Sequence, residues 1–73
     1  MINLFDKGKF RVGIYNAKRE RQFILHHVSK LIHVQNYLKN HNYGNALLLV
    51  YHRKTNELVC MVKYDSNLKK IIE

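Results

Sequence analysis

The sequence lacks proline and tryptophan, and it has one cysteine and three glycines in 73 residues. A lone Cys60 excludes an internal disulfide. No linker, repeat or low-complexity segment divides the chain, so one domain over residues 1–73 is expected, near the lower size limit for independent folding. No apolar run reaches the ~18 residues needed to span a bilayer. Met1-Ile2-Asn3-Leu4-Phe5-Asp6 has neither the basic region nor the long apolar stretch of a signal peptide, so a cytoplasmic protein is expected. Acid is scarce as well: five Asp and Glu stand against thirteen Lys and Arg, for a formal charge of +8. With 47% apolar residues the chain is too hydrophobic for a disordered basic tail. A small folded domain with this field attracts polyanions: DNA, RNA or an acidic protein surface.

What is present reads as α+β. Phe10, Val12 and Ile14 alternate with Arg11, Gly13 and Tyr15, the period of a half-buried strand. Asp6-Lys7-Gly8 reads as a turn, with Met1–Phe5 as a short edge strand before it. Asn16 is placed to cap the next element. From 17 to 40 the apolar spacing reads as helical: Ile24, Val28, Leu31 and Leu38 form one stripe, flanked by Leu25, Ile32, Phe23 and Val34. Such a helix is about 35 Å long. It ends near His41-Asn42-Tyr43-Gly44-Asn45, with Gly44 or an Asn in the left-handed conformation. Residues 46–52 and 58–64 read as two strands joined by the polar loop 53–57, a hairpin. Ser66 caps a short C-terminal helix over 67–73, or that tail forms a last edge strand. The expected fold is a small antiparallel sheet in β-α-β-β order, with one long helix on one face.

The last two full strands are apolar on both sides. Leu47, Leu49 and Tyr51 alternate with Ala46, Leu48 and Val50; Leu58, Cys60, Val62 and Tyr64 alternate with Val59 and Met61. Such strands need cover on both faces, and one helix covers one face. A homodimer is therefore expected, with Leu48, Val50, Val59 and Met61 at its interface. The bland alternative is a tail that folds back, through Leu68, Ile71 and Ile72, and completes a monomer.

On a helix over 17–40, Arg19, Gln22, His26, Lys30, His33, Tyr37 and Asn40 share the outward face. That stripe has no acid, whereas a plain solvated face usually mixes signs. Its cations, imidazoles, amides and aromatic ring suit phosphate oxygens and base edges, with Lys18 and Arg21 near its upper end. Arg53 and Lys54 at the hairpin tip add a second basic site. The expected function is a non-enzymatic nucleic-acid-binding or regulatory protein. The alternative is an inhibitor or adaptor from a phage or mobile element, directed at a host nucleic-acid-processing enzyme. A third reading is a metal-independent RNA-cleaving toxin, with Tyr51, His52, Arg53 and Lys54 as its acid, base and cations. No cofactor, metal ion or small-molecule substrate is expected. No His pair has the i, i+4 spacing, Cys60 has no thiol partner, and the carboxylates are scattered over different elements.

Overall fold

Phe10, Val12 and Ile14 do alternate inward, and the stretch forms strand β1 (Phe10–Tyr15). In this computed structural model, which describes residues 9–72, it is followed by β2 (Arg21–Val28), α1 (Leu31–Asn40), β3 (Ala46–His52), β4 (Leu58–Asp65) and β5 (Lys70–Ile72). The sheet is antiparallel throughout, in the order β2-β1-β3-β4-β5. Among the described residues one helix lies across one face, an α+β architecture. The edge strand expected at Met1–Phe5 and the turn expected at Asp6–Gly8 lie outside the described residues.

The expected long helix is corrected: residues 21–28 are a strand, and the helix is confined to Leu31–Asn40. Phe23, Ile24 and Leu25 satisfy either period, and three packing facts favour the strand. First, β1 would otherwise leave the N–H and C=O groups of one edge unpaired; β2 pairs with it from Phe10↔Val28 to Tyr15↔Arg21. Second, Asn16 builds a hairpin turn instead of a helix cap. Its side-chain carbonyl accepts the Lys18 and Glu20 N–H groups, both at 2.9 Å, and Arg19 takes a left-handed φ of 62°. That is asparagine's usual turn chemistry. Third, as a strand the segment lays Phe23, Leu25 and Val28 against the core.

Helix α1 begins after Lys30 and buries Leu31, Val34 and Leu38, spaced three and four apart as one face of a helix requires. It ends where expected, with Asn42 in the left-handed conformation at φ 54°. The Asn42 N–H donates to the Lys39 carbonyl and the Tyr43 N–H to the Leu38 carbonyl, at 3.2 and 3.0 Å. This pair of bonds is a Schellman closure, with Asn in the usual glycine position. Among the described residues no helix is long and apolar enough to cross a membrane.

The core lies between α1 and one sheet face. Val12, Ile14, Val34, Leu38, Leu48 and Val50 are its most completely buried side chains. The tail at Lys70–Ile72 is the edge strand, not the helix. Ser66 donates its N–H and hydroxyl to Asn45 Oδ1 rather than capping a helix. The helix also holds β5 directly, because Gln35 Oε1 accepts the Ile71 N–H at 2.9 Å.

The expected dimer interface is corrected in part. Leu48 and Val50 are fully buried against the helix within one chain. Val59 and Met61 are exposed, Met61 at 58%. The pairing Leu48↔Val62 and Leu49↔Met61 puts Leu48 and Met61 on opposite faces. Alternation within a strand does not reveal which face meets which across a pair; register does. A bulge at Val59, where the pairing steps from Val50↔Cys60 to Tyr51↔Leu58, also moves Leu58 out of line with Cys60 and Val62.

Candidate nucleic-acid interface

No described element covers the sheet face opposite the helix. Backbone pairing arranges its side chains as a grid. Arg11 lies beside Tyr51, Gly13 lies between Ile24 and Leu49, and Tyr15 lies between Arg21 and Leu47. Across the next pair, Leu49 meets Met61 and Leu47 meets Lys63. The face therefore has two halves. Over β1 and β2, together with Tyr51 of β3, it is cationic and aromatic; over the rest of β3 and β4 it is mainly apolar.

The cationic half holds a groove of about 370 Å³. Gly13, Tyr15, Ile24 and Tyr51 line it, and Arg11, Arg21 and His26 supply its cationic and imidazole groups. Asn56 reaches it from the β3–β4 loop, held in a left-handed conformation at φ 64° by a 2.8 Å bond from its N–H to the His52 carbonyl. No carboxylate is among the described residues that line this groove.

Two contacts organise it. The Arg11 guanidinium carbon stands 5.7 Å from the centre of the Tyr51 ring, within cation–π range. The far edge of the Tyr15 ring lies over Gly13, where a Cβ would come within 2.9 Å of Tyr15 Cε1. Glycine at 13 is what lets the ring lie there.

A second hollow of about 370 Å³ opens at the other end of the sheet, beside Asn16, Arg19, Asn45, Leu47, Lys63 and Asp65. Asp65 makes it less suited to a polyanion. The oxygen Asp65 Oδ1 is engaged locally, accepting the Asn67 and Leu68 N–H groups.

The expected binding stripe is dispersed, because a strand repeats every two residues and a helix every 3.6. Of that stripe only His26 lines the groove. Arg19 sits in the β1–β2 turn, and Gln22 donates from edge strand β2 to the Glu20 carbonyl. Lys30 is the residue before α1 and His33 lies in its first turn. The Tyr37 ring belongs to an aromatic cluster on the helix side, 4.3 Å from His41 and 5.6 Å from Phe23 between ring centres. Arg53 and Lys54 remain at the exposed hairpin tip.

The RNA-cleaving set is also divided. The His52 ring turns to the helix side and meets Phe10 edge-on at 5.6 Å, while Tyr51 belongs to the opposite face. The atom His52 Nδ1 is buried, with no hydrogen-bond partner among the described residues. His26 and His27 lie side by side, ring centres 6.5 Å apart. Among the described residues no three His, Cys, Asp or Glu side chains gather as a metal-binding set.

Sequence reasoning missed Arg11 and Tyr15 as site residues and placed Tyr51 only in the RNA-cleaving set, although the alternation that sends all three away from the core is plain in the chain. What joins them is the register of β1 against β2 and β3. No protein-family profile, curated protein or solved structure matches this chain.

Proposed function

We propose that this is a non-enzymatic, cytoplasmic nucleic-acid-binding protein that works through its open sheet face rather than its helix. The observation that carries this reading is the gathering of Arg11, Arg21, His26, Tyr15 and Tyr51 around one groove without a lining carboxylate. Guanidinium groups neutralise phosphates and fix the register of the strand, and aromatic rings offer faces to bases. The +8 charge adds long-range steering toward such a partner.

The test is an oligonucleotide titration across a salt series. Binding at ~150 mM salt with a steep log–log slope supports the reading, since each neutralised phosphate adds about 0.7–0.9 to that slope. Attraction that vanishes above low salt, or that does not change when Arg11 and Arg21 are replaced, overturns it.

A second reading has its own observation. Leu58, Met61 and Ile72 are exposed on the β4–β5 side, which favours a protein contact there: a second copy of the chain or a host enzyme's surface. Sedimentation tests the homodimer directly. A mass that stays at one chain, 8.8 kDa, up to high concentration removes self-association. Capture of one specific enzyme without any oligonucleotide binding moves the function to the inhibitor class.

A further inference from the structure

We infer that the groove over Gly13 is a subsite for one nucleotide of an unpaired strand, with its base against the Tyr15 ring and its phosphate toward Arg11 and Arg21. This rests on the reading of the open face as the nucleic-acid surface, and it adds the form of nucleic acid selected. The groove is a hollow and not a flat plate. Its floor is the Tyr15 ring laid over the buried Gly13 backbone. A base reaches that floor only by leaving its stack, because a duplex presents base edges in its grooves and phosphates outside them. The aromatic ring then replaces the stacking that the base gives up.

The lining chemistry fits a nucleotide better than a bare anion. Arg11 already stands over Tyr51 at cation–π distance, which restricts its side chain before any ligand arrives, so less freedom is lost on binding. Arg21 stands across from Tyr15 in the β1–β2 pairing, which places cationic groups at both ends of that floor. Asn56 brings an amide with both donor and acceptor to the rim, a pairing suited to a base edge; its acceptor oxygen finds no partner on a bare phosphate.

The experiment uses the full chain and five probes read by backbone amide shifts: a nucleoside monophosphate, its nucleoside, inorganic phosphate, a single-stranded oligonucleotide and its duplex. Saturable shifts at Gly13, Tyr15 and Asn56 with the monophosphate, at least tenfold tighter than with phosphate or nucleoside, support the subsite. So does a single-strand preference that falls about tenfold in Gly13→Ala, which displaces the ring, with the salt slope unchanged. The Asn56→Gly variant keeps the left-handed backbone and removes only the amide; loss of discrimination among the four bases in it supports the same assignment. Phosphate binding as tightly as the monophosphate overturns the subsite. Equal binding of single strand and duplex with a steep salt slope overturns it and leaves the wider function standing. No oligonucleotide binding at all overturns both.

Discussion

A Cβ placed on Gly13 would stand 2.9 Å from Cε1 of Tyr15, so the glycine and the ring two residues later share one position on the open face. The contact is with the far end of a side chain and not with backbone. Gly13→Ala is therefore expected to fold, with stability within about 1 kcal/mol of the parent, since the better strand propensity of alanine offsets the displaced ring. Urea unfolding measures the stability and Tyr15 ring contacts by NMR report the displacement. A loss of more than about 3 kcal/mol would mean that the ring cannot move aside.

Replacing Arg11 and Arg21 together by alanine is expected to lower the salt slope of single-strand binding by about 1.4, two phosphates at about 0.7 each. Replacing Arg19 and Lys30 together is expected to lower it less, since neither lines the groove. The reverse order would return the contacts to the turn and the start of the helix.

Leu48 and Met61 test the assignment of faces. Leu48→Ala is expected to cost about 2–5 kcal/mol, as for other buried leucines, because its side chain is fully buried beneath the helix. Met61→Ala is expected to change stability by less than about 0.5 kcal/mol in the monomer. Comparable losses at the two positions would contradict the observed register.

The bond from the Ile71 N–H to Gln35 Oε1 joins helix to edge strand. Gln35→Leu leaves that part-buried N–H without this acceptor and is expected to cost about 1–3 kcal/mol. Amide exchange at Ile71 is the sharper readout. Faster exchange at Ile71 than at the β3 amides is expected, and unchanged protection would show that β5 is held by its pairing with β4 alone.

At the end of α1, Asn42→Val is expected to cost about 1–2 kcal/mol, because a branched residue resists φ 54°. Asn42→Gly is expected to equal or exceed the parent in urea unfolding.

Much of this fold is legible in the residues. The alternation of Phe10, Val12 and Ile14 places β1 and its buried face. The polar run 53–57 places the β3–β4 hairpin. The asparagines after Asn40 mark the helix end, and Asn42 is the one that takes the left-handed turn. These signals are local: each depends on side chains within one or two turns of chain, so sequence alone carries them.

The element at 21–28 and the composition of the site were decided by tertiary structure. Phe23, Ile24 and Leu25 accept either helix or strand, and the choice fell to the unpaired edge of β1. Arg11, Tyr15, Arg21, Tyr51 and Asn56 belong to three strands and a loop, and register brings them to one groove, including the step in the β1–β2 pairing that sets Arg21 rather than Gln22 opposite Tyr15. Residue order sets which way each side chain points along its own strand; hydrogen-bond pairing between strands sets which side chains become neighbours.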